Sequence, residues 1–331
     1  MANRSVEISK LIPCCTEVMA FKALVNASKC RELVTIISLV LSAPMFTNEV
    51  NSFFRILTDH FFQWPPTFSV LNPDHRLTAK ELKQLSAALL DLIKHKPVQY
   101  ITQEAFFYNR NFYVDENVLI PRPETEELIS WVLEDSKDNG AQRRVLDIGT
   151  GSGCIPITLA KEENNFTIDA LDISTGALEV AKKNAQRHKV EINFFKVDIR
   201  ESISWPYPLD IMIANPPYVE PDEKNKMLPN VLEYEPHLAL FTPHNHPLFY
   251  YDKIIELSRT FLKSGGCLYL EINPVHATAL ATLIKANHFD YIETDIQLNK
   301  DNSLVIYHDI SYNNIRINQM NDEEIKQNNI L

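Results

Sequence analysis

Short apolar segments alternate with amphipathic stretches from residue 144 onward, and this pattern most restricts the possible folds. We predict strands at residues 144–149, 167–173, 192–198, 209–215, 267–272, 291–298 and 303–309, with helices between most of them. Such an alternation is typical of a parallel sheet covered by helices on both faces, with right-handed crossovers. Ligands of α/β sheets bind at the carboxyl ends of the strands, beside the point where the strand order reverses. We therefore expect the functional residues where these strands end.

The chain before residue 95 has a helical pattern. Residues 78–94 begin with Thr78 and Glu81 in the spacing of a capping box, followed by leucines at helical intervals. From about residue 97 the pattern becomes an aromatic-rich alternation of apolar and polar residues, which is typical of a short β-hairpin. The predicted division is a helical domain (1–95), a β-hairpin linker (96–123), an α/β domain (124–315) and a polar tail (316–331).

Charge and cysteine content argue against several classes of protein. The net charge of −11 and the pI near 5.4 oppose non-specific nucleic-acid binding, which needs a basic surface. The five cysteines are scattered without a CxxC pair, so we expect neither a disulfide framework nor a zinc site, and a reduced cytoplasmic location. The longest apolar run, residues 33–46, is shorter than the roughly 18 residues of a membrane helix. We read it as a buried helix.

A cluster of glycines follows the strand at 144–149. The chain has only seven glycines, and Gly149, Gly151 and Gly153 fall within five residues. Between a strand and a helix, such glycines allow a tight turn and a close approach of the backbone to a ligand. A dinucleotide site is one alternative because Asp172, at the end of the next strand, could bind ribose hydroxyls. An ordinary turn is the other.

The stretch Asn-Pro-Pro-Tyr at residues 215–218 follows another predicted buried strand. Prolines end a strand and fix φ near −65°, so we expect the carbonyls of Ala214 and Pro216 to point in fixed directions without pairing to a neighbouring strand. The Asn215 side-chain oxygen and a backbone carbonyl would form two acceptors that match the two N–H groups of a planar NH₂. Tyr218 would supply a flat face beside it. The pattern predicts a site for a nucleobase amino group or a carboxamide.

Residues Asp147 through Gly153 match (D/E)-x-G-x-G-x-G, and here the sequence resembles the class I methyltransferases that use S-adenosylmethionine. The resemblance implies a Rossmann-like α/β sheet and favours a methyl donor over nicotinamide, since the dinucleotide pattern G-x-G-x-x-G is absent. It also implies that Asp147 and the loop backbone hold the amino-acid part of the cofactor. Asp172 would bind both ribose hydroxyls, and Asp198 and Ile199 would border the adenine.

Asn-Pro-Pro-Tyr is shared by adenine-N6, cytosine-N4 and protein-glutamine methyltransferases, so other stretches must decide between them. Residues 97–100, 112–128 and 233–241 resemble the protein N5-glutamine methyltransferases of peptide chain release factors. The resemblance covers roughly residues 78–309. It implies a helical domain joined by a β-hairpin to the methyltransferase domain, and methylation of the glutamine in the Gly-Gly-Gln tripeptide of class I release factors. Gln103 departs from the family, which usually has glycine there.

The same resemblance implies which residues form the site. Phe107 and the turn containing Arg122 would lie near the cofactor and the target glutamine, although Arg122 could instead pair with Glu124 or Glu126. Glu271 could border the cofactor pocket or form a structural pair. The predicted catalytic residues are Asn215, Pro216 and Tyr218, and the predicted substrate-binding residues are Asn215, Pro216, Pro217, Tyr218 and Arg122. The predicted cofactor-binding residues are Phe107, Asp147, Gly149, Thr150, Gly151, Ser152, Gly153, Asp172, Asp198, Ile199 and Asn215.

Two other functions remain open on the sequence alone. An N6-adenine methyltransferase acting on DNA or rRNA shares the chemistry but is opposed by the acidic charge, and a non-catalytic module that docks a translation factor need not bind S-adenosylmethionine. The resemblance implies a monomer whose partner is a class I release factor, without a membrane or a nucleic acid. No metal-ligand cluster is visible, so we expect no metal.

Overall fold

The structure, a computed structural model, describes residues 47–137, 140–287, 289, 296–298, 304–306, 311–312 and 315–316. Contacts divide the chain into two compact units. The first unit is Met1–Pro121 with Lys226–Pro236, and the second is Arg122–Asn225 with His237–Leu331. The domain boundaries that we place from the sequence stay predictions. The apolar run at 33–46 and nearly all of the polar tail lie outside the described residues.

The first unit contains helices α1 (Thr47–Phe62), α2 (Phe68–Leu71), α3 (Ala79–Ile93) and α4 (Val98–Thr102). The predicted capping box of α3 is confirmed: Thr78 Oγ1 accepts a hydrogen bond from Glu81 N, and the Glu81 carboxylate accepts one from Thr78 N at 2.7 Å. The leucines at helical intervals face inward. Leu85, Leu89 and Leu92 are buried in a core that also holds Leu57 and Trp64.

The predicted β-hairpin is also confirmed. Strands β1 (Glu104–Phe107) and β2 (Arg110–Tyr113) pair antiparallel, and Phe107 lies opposite Arg110. The two residues between them, Tyr108 and Asn109, both have positive φ, as a type I′ turn requires. Before the hairpin, Gln103 ends α4 in the left-handed conformation, with φ 54°. Glycine adopts this conformation without strain, whereas a residue with a side chain does not.

The second unit is built on the predicted parallel sheet. Its strands are β3 (Arg143–Ile148), β4 (Phe166–Asp172), β5 (Asn193–Lys196), β6 (Leu209–Ala214) and β7 (Leu262–Leu270), in the spatial order β5-β4-β3-β6-β7. Every neighbouring pair is parallel. Strand β7 begins before the predicted start at residue 267, because Leu262 already pairs with Leu209 ahead of a shift in register.

Helices and short turns connect these strands. The α-helices are α5 (Pro123–Asp135), α6 (Cys154–Glu162), α7 (Thr175–His188), α8 (Pro229–Leu232, in the first unit), α9 (His237–Leu240), α10 (Phe249–Phe261) and α11 (Ala277–Ala286), and 3₁₀ turns cover Pro221–Lys226 and Pro274–His276. The predicted helix after Pro123 is confirmed, with proline in its first turn. Leu146 of β3, Met212 of β6 and Ile254 of α10 are fully buried in one core cluster.

The strands predicted nearest the carboxyl terminus do not join the parallel sheet. Strands β8 (Ile296–Leu298) and β9 (Leu304–Ile306) pair antiparallel with each other, and so do β10 (Ser311–Tyr312) and β11 (Ile315–Arg316). The physical reason is the connection: residues 299–303 are too few for a parallel crossover, which needs about a dozen residues. The parallel pairing expected for these strands is therefore wrong; the rest of both predicted segments lies outside the described residues.

Candidate active site

The carboxyl ends of the five parallel strands bring the polar residues of interest to one edge of the sheet. Across this edge, Asp198 follows β5, Asp172 ends β4, the glycine loop follows β3, Asn215 follows β6 and Glu271 follows β7. Ile148, the last residue of β3, pairs with both Leu171 and Ala214, so the neighbouring strands end at the same level. The glycine loop therefore lies between Asp172 on one side and Asn215 on the other, where the strand order reverses.

The glycine loop has a backbone that other residues rarely adopt. Gly149, Gly151 and Gly153 have φ values of 76°, 53° and 79°. The amide of Gly151 donates a hydrogen bond to Asp172 Oδ2 at 2.9 Å, and Ser174 N donates to Asp172 Oδ1 at 2.8 Å. Asp172 therefore ties the loop to the start of α7. Burial raises the pKa of Asp172, and these backbone hydrogen bonds oppose the shift.

The residue two positions before the loop's first glycine is a buried acid, Asp147. Asp147 is 0% exposed, and neither of its carboxylate oxygens has a hydrogen-bond partner among the described residues; the same holds for Thr150 Oγ1. The pKa of Asp147 is raised to about 7. Burial is the largest cause, the nearby Thr150 lowers the pKa, and the charge of Asp172 raises it. Ser152 is also buried, and its carbonyl accepts a hydrogen bond from Asn184. Buried acceptors without partners are costly, so the Asp147 carboxylate is suited to accept hydrogen bonds from a ligand.

The side chain of Asn215 is held by a chain of hydrogen bonds. Its Nδ2 donates to Thr125 Oγ1 at 3.2 Å, and the Thr125 hydroxyl donates to Glu271 Oε2 at 2.6 Å. The Tyr218 hydroxyl donates to the other carboxylate oxygen of Glu271 at 3.3 Å. The donor end of the Asn215 amide is thus occupied, and its oxygen has no donor among the described residues.

One backbone expectation is wrong. Ala214 O accepts a hydrogen bond from Glu271 N at 3.0 Å, so this carbonyl belongs to the sheet and is not a spare acceptor. The pairing extends one peptide further than we expected, because Glu271, directly after β7, donates to the last residue of β6. Of the two carbonyls named from the sequence, only that of Pro216 lies beyond the paired strand.

Tyr218 and Arg122 lie near each other. Burial, followed by the charge of Glu271, raises the pKa of Tyr218 to about 12, whereas the charge of Arg122 lowers it. The Tyr218 ring packs against a cluster that includes Tyr251 and Leu280. The structure thus brings Arg122 to the same edge as the Asn-Pro-Pro-Tyr stretch, in which Pro216 is buried and Pro217 half-buried.

The outer predicted residues have other contacts. Asp198 accepts hydrogen bonds from the backbone and guanidinium of Arg200, chiefly from the side chain, and this lowers the pKa of Asp198. Ile199 is half-buried against the core cluster of the sheet. Phe107 lies in the first unit, where it is 1% exposed and packs edge-on against Phe112. The assigned roles of these residues at a cofactor stay predictions.

Two residues of this network were not assigned from the sequence. Thr125 lies in a stretch whose sequence predicts only the start of an acidic helix. Its burial, with 3% of the side chain exposed, is not visible in that pattern. For Glu271, the sequence allows either the border of the cofactor pocket or a structural pair. Its place at the end of a strand next to β6 is the signal that could have joined it to Asn215.

Among the residues that the structure describes, no group of three or more His, Cys, Asp or Glu side chains is arranged to hold a metal ion. Cys154 is buried and Cys267 is exposed, and both are free thiols; the other three cysteines lie outside the described residues. In that part of the chain, no helix is both long and apolar enough to cross a membrane.

The parallel sheet, the glycine loop after its central strand and Asn-Pro-Pro-Tyr after the next strand define a Rossmann-like methyltransferase fold. Residues 125–234 match the Methyltransferase small domain family, and residues 47–102 match the PrmC N-terminal domain. A third match, to the Glycerophosphoryl diester phosphodiesterase family over residues 277–329, contains none of the site residues described above.

Curated relatives define the family more narrowly. The release factor glutamine methyltransferase of Flavobacterium psychrophilum is 43% identical over 73% of this chain and 85% of its own length. That of Bacteroides thetaiotaomicron is 41% identical over 70% of this chain and 81% of its own. The chain belongs to the release factor glutamine methyltransferase family. A solved ribosomal protein L11 methylase from Lactobacillus delbrueckii subsp. bulgaricus is more distant, with a TM-score of 0.39, 17% identity, and coverage of 55% of this chain and 78% of that one.

Proposed function

We propose that this protein transfers a methyl group from S-adenosylmethionine to the side-chain amide nitrogen (N5) of the glutamine in the Gly-Gly-Gln tripeptide of class I release factors. The observation that carries the proposal is the orientation of Asn215, whose amide nitrogen donates to Thr125 and whose oxygen is left to accept. A carboxamide substrate presents the two N–H donors that such a site needs. Family membership disfavours the N6-adenine alternative.

The residues of the glycine loop fit S-adenosylmethionine. The unpartnered carboxylate of Asp147 would accept from the cofactor's amino group, and the loop from Gly149 to Gly153 would let the backbone approach it closely. Asp172 would bind the ribose hydroxyls, since each carboxylate oxygen can accept a second hydrogen bond. Asp198 and Ile199 would border the adenine. When bound, the cofactor supplies a methyl group on a positively charged sulfur.

The protein's contribution to the reaction is orientation and charge stabilisation. Asn215 Oδ1 and the Pro216 carbonyl accept the two N–H groups of the target carboxamide and hold its nitrogen lone pair along the line of attack. Positive charge develops on that nitrogen as it gains the methyl group, and the two acceptors stabilise it. The nitrogen can lose its proton afterwards, so no strong base is needed before transfer. Tyr218 supplies a flat wall for the planar group.

Mass spectrometry of the substrate tests this proposal. Purified protein is incubated with S-adenosylmethionine and a class I release factor, and the digested release factor is analysed for one added methyl group on the Gly-Gly-Gln peptide. A release factor with that glutamine replaced by asparagine is the control and should stay unmodified. An unmodified Gly-Gly-Gln peptide at saturating enzyme, or methyl transfer to DNA or rRNA and not to protein, would overturn the proposal.

The proposal also implies where and with what the protein acts. Release factors are translation factors, so the enzyme would work in the cytoplasm, and it would meet its protein substrate as a monomer. Light scattering of the purified protein, alone and with the release factor, measures both the oligomeric state and the complex.

A further inference from the structure

The hydrogen bonds that join Asn215, Thr125 and Glu271 all donate in the same direction, from Asn215 toward Glu271. An ionised Glu271 offers only acceptor oxygens, so the single hydroxyl proton of Thr125 is committed to it at 2.6 Å. Thr125 Oγ1 can then meet Asn215 only as an acceptor, which selects the NH₂ end of the Asn215 amide at 3.2 Å. If the amide turned over, its oxygen would face an oxygen that has no proton to give.

We propose that Thr125 and Glu271 are positioning residues, which set the direction of the Asn215 carboxamide and so keep its oxygen facing the substrate. This inference rests on the proposed function, because it assigns a task to the acceptor that the methyl-transfer reaction needs. Neither residue touches substrate or cofactor in this assignment. Both act through Asn215.

The anchor of this chain, Glu271, is fixed from several elements. Its backbone N–H donates to Ala214 O, and its carbonyl accepts from Tyr251 of α10 at 3.0 Å. Its second carboxylate oxygen accepts from Tyr218. Since Thr125 is 3% exposed at the start of α5, little water can replace these bonds. The Asn215 amide is thus oriented by groups from α5, from β7 and from its own loop.

A charged carboxylate suits this task better than an amide would. A glutamine at position 271 could turn its own NH₂ toward Thr125, and the hydroxyl would then be released to donate to Asn215 Oδ1. The carboxylate removes that possibility as long as it is ionised. Burial raises the pKa of Glu271, and the charge of Glu124 raises it further, while the hydrogen bonds from Thr125 and Tyr218 and the nearby Asn215 amide lower it.

The experiment uses the full-length protein, S-adenosylmethionine and a release factor in steady-state kinetics. Thr125→Val removes the hydroxyl and keeps the shape, so kcat should fall roughly tenfold, which corresponds to the loss of one hydrogen bond. The KM for the release factor and the Kd for the cofactor should change less than about twofold. Thr125→Ser, which restores the hydroxyl, should recover most of the loss, and Glu271→Gln should lower kcat at least as much as Thr125→Val.

Two controls separate positioning from a general loss of structure. Thr58→Val removes a hydroxyl of similar burial from the first unit, where Thr58 donates to Phe54 O, and should leave kcat unchanged. In an Asn215→Ala background, Thr125→Val should lower kcat by less than about twofold, because Thr125 acts through the missing amide.

The outcomes distinguish this inference from the proposed function. If the wild-type protein does not methylate the release factor, the proposed function fails and the inference fails with it. If the wild type is active but Thr125→Val and Glu271→Gln both keep wild-type kcat, or Thr125→Val costs as much without Asn215 as with it, only the inference is overturned. Should Thr125→Val lack native circular dichroism, Glu271→Gln alone decides.

Discussion

Replacing single glycines by alanine separates two requirements of the glycine loop. Gly149 and Gly153 have nearly the same φ, 76° and 79°. A Cβ on Gly149 would meet no atom within 4 Å, whereas a Cβ on Gly153 would lie 3.0 Å from Ile157 Cδ1 and 3.1 Å from Ala181 Cβ. Gly149→Ala therefore changes only the backbone preference, and Gly153→Ala adds a steric conflict between the loop, α6 and α7.

The expected magnitudes follow from this geometry. Holding a non-glycine residue in the left-handed region costs about 1–2 kcal/mol, and both variants carry this cost. Overpacking of a close-packed site adds about 1–3 kcal/mol, and only Gly153→Ala carries it. We therefore expect the free energy of unfolding to fall by roughly 1–2 kcal/mol in Gly149→Ala and by roughly 2–5 kcal/mol in Gly153→Ala. Effects on the unfolded chain are the same for both and cancel in the comparison.

Urea unfolding followed by far-ultraviolet circular dichroism, without cofactor, measures this difference. The wild type and both variants are compared at one pH and one protein concentration. Equal destabilisation of the two variants would show that α7 does not restrict the loop at Gly153, and the reasoning from close contact would be refuted. A Gly149→Ala variant as stable as the wild type would refute the backbone part.

Three further predictions concern single residues. Asn215→Ala should lower kcat by about a hundredfold or more, the scale of losing one preorganised polar group, while the cofactor Kd measured by calorimetry changes little. The pKa of Asp147 lies above its ordinary value, at about 7, so the stability contributed by its protonated form is complete below about pH 4 and is lost as pH rises through about 7. Asp147→Asn removes that loss, and urea unfolding should show its advantage over the wild type growing between about pH 4 and pH 7 and levelling off above. Gln103 has φ 54°, so Gln103→Gly should raise the melting temperature, with a stabilisation of up to about 1 kcal/mol, and an unchanged or lower melting temperature would contradict this.

The sequence alone determined the local features of this protein. The capping box at Thr78, the hairpin before Val114 and the five parallel strands all follow from patterns within a few residues, because turns, caps and strand periodicity depend on near neighbours. The same holds for the positions of the glycine loop and of Asn215. Both follow directly from strands of the sheet, so the topology of an α/β fold places them at one edge.

Only the tertiary structure decided which residues contact Asn215 at that edge of the sheet and which backbone acceptors stay available there. Thr125 meets Asn215 across 90 positions of the chain and Glu271 across 146, and no local pattern can pair residues so far apart. A hydrogen bond from the neighbouring chain segment also removed the Ala214 carbonyl from the acceptors available to a substrate, since its donor, Glu271 N, lies directly after β7. The glycine loop and Asn215 are thus recognisable from local sequence, and Thr125 and Glu271 are not. The direction of the Asn215 amide and the pKa of buried Asp147 depend on packing, because hydrogen-bond direction and burial are properties of neighbours in space.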